Sequence, residues 1–94
     1  MERTFHVYIM ASGSGVIYVG VTGGIAKRVG IHKDGLSKGF TKKYKVTKLV
    51  WYEPHSTARA AIAREKEIKK WRRQKKVALI ESLNPGWRDL ADTL

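Results

Sequence analysis

The stretch of residues 5–21 constrains the fold more than any other, because its pattern is that of a β-hairpin. Two apolar runs, 5–11 and 16–21, are rich in β-branched and aromatic residues. The sequence Ser-Gly-Ser-Gly at 12–15 separates them and has the composition of a turn. We therefore expect two antiparallel strands at the start of the chain.

The length of the hairpin loop decides whether two tyrosines share a face. A three-residue loop at 13–15 places Tyr18 opposite Met10 and Tyr8 opposite Gly20, which puts both phenols on the same side. A four-residue loop would separate them. The alternation of apolar residues favours the three-residue loop, although β-propensity alone is enough to explain two tyrosines in strands.

The chain after the hairpin predicts further helices and one more strand. The predicted elements are a helix at 25–33, a strand at 46–53, a helix from 56 to about 70 or 73 that Ser56 or Thr57 can cap, a helix at 75–83 and a last turn at 87–90. The order β-β-α-β-α-α predicts an α/β fold, a small three-stranded sheet flanked by helices. A chain of 94 residues has room for one domain, 1–94.

The net charge of +11 favours a polyanionic partner. Nucleic acid is the commonest such partner, and an anionic lipid surface is the weaker alternative. No apolar run approaches the ~20 residues that span a bilayer, and the start of the chain lacks the pattern of a secretory signal, so we expect a cytoplasmic protein without a membrane contact. The lack of cysteine excludes disulfides, thiolate metal sites and a cysteine nucleophile.

Glu65 falls on the apolar stripe of the long predicted helix. At about 100° per residue, the side chains within roughly 60° of it are those of Ala58, Ala61, Ile62 and Ile68. A carboxylate that faces the body of a protein costs several kcal/mol unless a cation or a hydrogen-bond donor meets it. Two interpretations stand: a structural salt bridge, with Arg28 as a candidate partner, or a metal ligand or acid–base group.

Arg28 and His32 are four residues apart on the predicted helix 25–33, so both project from one face. Each has an ordinary explanation when taken alone. Arg28 is one more cation in a basic chain, and a single histidine near apolar neighbours is usually a packed or surface residue.

Lysines and arginines supply the expected affinity for nucleic acid. The candidates are Lys42 and Lys43 in the loop after the first helix, and Lys69, Lys70 and Arg72 near the end of the long helix. Such contacts bind the phosphate backbone without reading sequence and weaken steeply with salt. Asn84 either fixes the site or contacts backbone phosphate, or it only caps the preceding helix, and the sequence does not separate these roles.

Taken together, these residues resemble the GIY-YIG nuclease superfamily, in particular its small, free-standing, single-domain bacterial members. The first signature of the family corresponds to His6-Val7-Tyr8 and the second to Tyr18-Val19-Gly20. The two tyrosines are ten residues apart, Arg28 follows the second by ten, and His32 lies one helical turn further. These spacings fit the family.

The resemblance continues into the second half of the chain. The block 63–71 looks like the segment that carries the metal-binding glutamate of the family, and 84–87 looks like its downstream asparagine region. Two positions depart from the pattern. His6 replaces the first glycine, and Val21 stands where the DNA-repair members carry a lysine.

The resemblance implies a metal-dependent endonuclease that hydrolyses phosphodiester bonds in nucleic acid, with DNA favoured over RNA, with a structure or weak sequence preference, in DNA repair or recombination. It implies Glu65 as the ligand of one divalent ion, Mg²⁺ or Mn²⁺, and Arg28 as the group that grips the scissile phosphate. His32 would hydrogen-bond a phosphate oxygen or a tyrosine hydroxyl. Tyr18, with Tyr8 beside it, would orient or deprotonate the attacking water. Which of the two takes the proton stays open.

A phenol that acts as the base needs help from the site. Only about one part in a thousand is ionised at pH 7 when the pKa is about 10, so nearby cations must lower that pKa.

Two other classes of function remain. A non-catalytic nucleic-acid-binding module that retains the fold would explain the charge and the basic residues. A basic interaction module for an acidic protein would explain the charge but leaves an inward-facing Glu65 without a role. Because the chain has no room for a recognition domain, we expect a weak enzyme, a homodimer or a partner protein that supplies specificity.

Overall fold

A computed structural model describes residues 3–35, 39 and 43–94 of the chain. Its elements are β1 (Phe5–Ala11), β2 (Ile17–Thr22), α1 (Ile25–Lys33), β3 (Lys48–His55), α2 (Ala58–Lys69), α3 (Arg73–Leu83) and a short 3₁₀ helix (Ala91–Thr93). The predicted order β-β-α-β-α-α and the α/β class are confirmed. In the described part of the chain, no helix is long and apolar enough to cross a membrane.

The sheet is antiparallel, with β1 between its two neighbours in the order β2-β1-β3. Ser12 and Val16 close the hairpin, since the Ser12 N–H donates to the Val16 carbonyl at 2.8 Å. The three residues between them form the loop, in which Gly15 adopts φ +92°, a conformation that glycine tolerates best. The three-residue loop predicted from the apolar pattern is therefore confirmed.

Each face of the sheet packs against its own hydrophobic cluster. On one face, Val7, Ile9 and Ala11 contact α2 and α3 through Ala61, Ile68 and Ile80. On the other, the cluster consists of Tyr8, Met10, Val29, Val46 and Leu49. The alternation of side chains along β1 thus serves two cores, and the face that carries Tyr8 is buried beneath α1.

Several predicted boundaries shift for identifiable reasons. β3 begins and ends two residues later than predicted, and Pro54 lies inside it, paired with His6. This is tolerated because β3 is an edge strand, where proline need not donate to a further neighbour. α2 begins after Thr57, whose Oγ1 accepts the Ala60 N–H at 3.1 Å, so Thr57 rather than Ser56 is the cap.

The prediction of a last turn at 87–90 is wrong. This segment is irregular, and its side-chain contacts hold it to β3 instead. The Asp89 carboxylate accepts the Leu49 N–H at 3.1 Å and forms an ion pair with Lys33. The final turn comes later, at Ala91–Thr93.

Candidate active site

Tyr8 lies at the centre of the candidate site. It is on the middle strand, opposite Gly20 in β2, and only 1% of its surface is exposed. Its hydroxyl lies 3.2 Å from Nε2 of His32 on α1. A side chain at Gly20 would collide with the phenol, because a Cβ there would come within 2.5 Å of both Cζ and the hydroxyl oxygen.

Gly20 is therefore a structural requirement of the candidate site that the candidate residues derived from the sequence do not include. It makes room for the ring that the site depends on. The signal was present, since a glycine inside a strand often marks the close approach of another group.

Tyr18 and His32 complete a cluster of three rings with Tyr8. The ring centroid of Tyr18 is 6.3 Å from that of Tyr8 and 5.6 Å from that of His32, and the Tyr8–His32 distance is 5.8 Å. Tyr18 is half-buried, on the edge strand β2. The two phenols thus share one face, but only Tyr8 is enclosed.

His32 lies in the last turn of α1 and is 5% exposed. Burial, followed by the nearby positive charge of Arg28, lowers its pKa, which keeps the imidazole neutral at pH 7. Its Nδ1 atom is buried and has no hydrogen-bond partner among the described residues. Arg28 lies one turn earlier on α1, exposed to solvent.

The pKa of Tyr8 is affected by burial and by charged residues on two helices. Burial is the main effect, and together with the neighbouring Tyr18 it raises the pKa of Tyr8. The positive charge of Arg28 opposes this rise and the negative charge of Glu65 adds to it. Charges from α1 and α2 therefore act on one hydroxyl. At Tyr8, loss of hydration outweighs the attraction of Arg28, so this phenol does not show the lowered pKa that a base at the site requires.

Glu65 faces inward on α2, with 14% of its side chain exposed. Ala61 and Ile68 flank it on the helix and are fully buried, as predicted, but Ala58 and Ile62 are exposed. The buried stripe is thus narrower than the sequence indicates. The carboxylate lies 3.4 Å from Nζ of Lys69, one turn further along the helix.

The structural salt bridge to Arg28 is not observed. Among the described residues, the ion pair of Glu65 is with Lys69. Since 48% of the Lys69 side chain is exposed, this pair is solvated and contributes at most ~1 kcal/mol to stability. Glu65 is therefore a mostly buried carboxylate whose ion pair with Lys69 is open to solvent on the lysine side.

The donor set fits one hard cation with a hydrated coordination shell. No group of three or more histidine or acidic side chains is placed to hold a metal ion within residues 3–35, 39 and 43–94. Mg²⁺ commonly takes one or two carboxylates from the protein and fills its other positions with water and substrate phosphate. Glu65 can supply such a ligand, whereas a closed protein cage is not available in this region.

The predicted nucleic-acid contacts divide into exposed residues, one residue outside the described part of the chain, and the buried Asn84. Lys43, Lys69, Lys70 and Arg72 are exposed. Lys42 lies outside the described residues. Lys43 places its ammonium 5.4 Å from the centre of the exposed Tyr44 ring.

Asn84 belongs to the interior, which corrects the expectation of a phosphate contact. It is 4% exposed, and its side-chain amide donates to the Val50 carbonyl at 3.1 Å and to the Arg88 carbonyl at 2.8 Å. Its Oδ1 accepts the Arg88 N–H at 3.0 Å. Both amide hydrogens are thus used, and the side chain joins the end of α3 to β3 and to the segment after the turn.

Comparison with known proteins relates the chain to one family. The model of the GIY-YIG catalytic domain matches residues 4–78. A UPF0213 protein of Staphylococcus saprophyticus is 37% identical over 75 residues, 80% of this chain and 92% of the relative. A UPF0213 protein of Staphylococcus epidermidis is 35% identical over 81 residues, 86% and 98% of the two chains. The solution structure of a UPF0213 protein from Bacillus halodurans shares the fold, with a TM-score of 0.60, 24% identity and 92% of each chain covered.

Proposed function

Because this chain belongs to the GIY-YIG catalytic domain family, a family of nucleases, we propose that it is an endonuclease that hydrolyses phosphodiester bonds in DNA with the help of a divalent metal ion. The observation that best supports the proposal is the convergence at Tyr8. Its hydroxyl contacts His32, its ring lies beside Tyr18, and the charges of Arg28 and Glu65 both act on it.

The two phenols take different roles in this proposal. Tyr18 is half-buried at the sheet edge and is the more exposed of the two phenols, and we assign it to orienting or deprotonating the attacking water. Tyr8 is enclosed and its pKa is raised, so it stays neutral and positions His32. Ionising an unperturbed phenol at pH 7 costs ~4 kcal/mol, which cations near Tyr18 must reduce.

Arg28 and His32 have the chemistry to bind the scissile phosphate. The guanidinium of Arg28 is exposed and can bind two non-bridging oxygens in bidentate fashion, which stabilises the negative charge that develops during in-line attack. His32 is neutral and held by Tyr8, so it acts by hydrogen bonding rather than as a cation.

Glu65 would hold the metal ion, Mg²⁺ or Mn²⁺. Such an ion would polarise a phosphate oxygen and neutralise charge on the leaving oxygen. The Lys69 ammonium lies beside the carboxylate and adds a second positive charge there for a phosphate.

Affinity for the substrate comes from the basic surface. We assign backbone phosphate contacts to Lys43, Lys69, Lys70 and Arg72, and keep Lys42 as an expectation. Contacts of this kind carry little sequence information, so preference for a DNA structure, or a homodimer or partner protein, would supply selectivity in repair or recombination. We propose that the chain does this as a single cytoplasmic domain.

The test incubates the purified protein with duplex, branched and single-stranded DNA and RNA, with Mg²⁺, Mn²⁺ or a chelator. We expect cleavage of DNA that depends on the metal and falls at least ~100-fold in Glu65→Gln, because the metal ligand is lost. Glu67→Gln is the matched control, since Glu67 is on the same helix but pairs with Arg64 at the surface.

Two outcomes would contradict the proposal. Cleavage that persists in Glu65→Gln at the wild-type rate would remove Glu65 as the ligand. Salt-sensitive binding of DNA without cleavage under any condition would favour the non-catalytic binding module.

A further inference from the structure

Two basic clefts lie at opposite ends of the edge strand β2. The first, which we call the Thr22 cleft, has a volume of about 350 Å³ and is lined by Arg3, Lys27, Arg28, Ile31 and the residues Thr22, Gly23 and Gly24. The second, the Ile17 cleft, has a volume of about 430 Å³ and is lined by Arg73, Lys76, Val16, Ile17 and the hairpin residues Ser14 and Gly15. Among the described residues, no acidic side chain lines either cleft.

An arginine in each cleft is held by a backbone carbonyl. The guanidinium of Arg73 donates to the Gly15 carbonyl at 2.7 Å. The guanidinium of Arg3 donates to the Gly23 carbonyl at 3.4 Å and lies over the Phe5 ring. A guanidinium has five N–H donors, so an anchored arginine still has donors for an anion and loses less conformational freedom on binding it.

Along β2, the candidate-site residues Tyr18 and Gly20 lie between the residues that line the two clefts. Tyr18 is next to Ile17 along β2, and Gly20, opposite Tyr8, is in the middle of the strand. Arg28, assigned above to the scissile phosphate, also lines the Thr22 cleft, which leaves Arg3 and Lys27 as the contacts of that cleft for a flanking phosphate. From Ile17 to Thr22 the strand advances about 17 Å at ~3.4 Å per residue, which is the length of about five nucleotides in one strand of B-form DNA.

We propose that the β2 edge is the track for one nucleic-acid strand, with backbone phosphates bound in the Thr22 and Ile17 clefts on either side of the bond that is cut. The substrate class is then an internal phosphodiester with charged linkages on both sides, rather than a terminal nucleotide. This inference rests on the proposed function of the site between the clefts.

The direct test locates the two ends of a short strand on the protein. The probe is a DNA strand of about six nucleotides that carries a nitroxide at its 5′ end or at its 3′ end, and the readout is the broadening of backbone amide signals in ¹⁵N-labelled protein with a chelator present. We expect one label to broaden Ser14 and Gly15 and the other to broaden Gly23 and Gly24. Broadening of the same cleft by both labels, or of neither cleft, would overturn the track.

Charge variants test the same geometry through affinity. Two double variants each remove two cations from one cleft: Arg3→Ala/Lys27→Ala and Arg73→Ala/Lys76→Ala. Each should weaken DNA binding about tenfold. Each should also reduce the slope of the log binding constant against log salt concentration by the equivalent of about one to two phosphate contacts. The matched control is Arg59→Ala/Lys66→Ala, which removes the same charge from the exposed face of α2.

A control pair that weakens binding as much as the cleft pairs would show a general charge effect and overturn the proposal. If an arginine variant fails to fold, Lys27→Ala and Lys76→Ala leave both anchors in place and should each weaken binding about threefold, against no change for Lys66→Ala. If cleavage depends on Glu65 but the two nitroxide labels do not each broaden a different cleft, the track is rejected and the endonuclease is kept. If each label broadens a different cleft but no cleavage occurs, the endonuclease is rejected and the track is kept.

Discussion

The hydroxyl of Tyr8 and Nε2 of His32 lie 3.2 Å apart in the interior and join the central strand to α1. Burial raises the pKa of Tyr8 and lowers the pKa of His32, so both groups are neutral at pH 7. The contact is therefore a neutral hydrogen bond that fixes α1 against the sheet. It also fixes the direction in which the Arg28 side chain projects from the same helix.

Removing the hydroxyl of Tyr8 should mainly lower stability, whereas removing the hydroxyl of Tyr18 should mainly lower the cleavage rate. Tyr8→Phe leaves Nε2 of His32 without its buried partner and should lower the free energy of unfolding by ~1–3 kcal/mol. Tyr18→Phe acts at a half-buried position and should change stability by less than ~1 kcal/mol while it lowers the cleavage rate about 100-fold or more. Urea unfolding and single-turnover cleavage measure the two effects.

Tyr52→Phe is the control for both, since its hydroxyl contacts Thr93 at the surface. Wild-type cleavage by Tyr18→Phe would remove this phenol from the reaction.

Gly20→Ala should damage the site by displacing the Tyr8 ring. The new methyl group would lie 2.5 Å from the phenol, so the ring or the strand must move, at a cost of ~1–3 kcal/mol in unfolding free energy. The aromatic proton signals of Tyr8 should shift, and cleavage should fall. Gly13→Ala faces open space and should leave all three unchanged. A Gly20→Ala protein as stable and active as the wild type would show that the ring is not confined as described.

Stability should decrease as the solution becomes acidic, and His32 should account for part of the decrease. Its pKa in the folded state is below the unfolded value of about 6.5, so between these two values the unfolded state binds more protons. The contribution of this histidine to stability is complete above pH ~6.5 and is lost as the pH falls through the folded pKa.

The measurement is the difference in unfolding free energy between pH 8 and pH 5.5 for the wild type and His32→Gln. We expect a smaller difference in the variant. His6, whose pKa is also lowered by burial, contributes in the same direction, so a His6→Gln/His32→Gln protein should show the smallest difference. Equal differences in all three proteins would contradict the assignment.

Asn84→Ala should affect the fold and leave the electrostatics of binding intact. The substitution leaves the carbonyls of Val50 and Arg88 without the donor of the Asn84 side chain. We expect a loss of ~2–4 kcal/mol in unfolding free energy. The salt dependence of DNA binding should not change at a temperature where the variant is folded. Lys70→Ala should behave in the opposite way, with unchanged stability and a salt slope lower by about one phosphate contact. A lower slope in Asn84→Ala would restore this residue as a phosphate contact.

The features that the sequence predicted correctly are those carried by local periodicity. The alternation along 5–11 and the glycines at 13 and 15 were enough to place Tyr18 opposite Met10, because a shift by one residue would have turned every apolar side chain to the wrong face. Likewise, the rotation of about 100° per residue in a helix was enough to predict that Glu65 faces inward beside Ala61 and Ile68.

The features that could not be predicted depend on partners far along the chain. Asn84 binds the carbonyl of Val50, 34 residues away, and no local pattern distinguishes that contact from a helix cap. The burial of Tyr8 depends on how α1 covers the second face of the sheet, so the direction of its pKa shift follows only from the packed structure. Ile62 and Ala58 are exposed because the face of α2 that contacts the sheet is narrower than the apolar stripe of the helix, and its width depends on the tertiary packing.

The central position of β1 has a consequence for how such a domain can evolve. This strand is hydrogen-bonded along both sides and packed on both faces, and it also carries the enclosed phenol. In the proposed endonuclease, folding and chemistry would therefore constrain the same seven residues. A descendant that abandons catalysis but keeps its architecture is free to change the peripheral groups, Tyr18, Arg28 and Glu65, long before it can replace Tyr8.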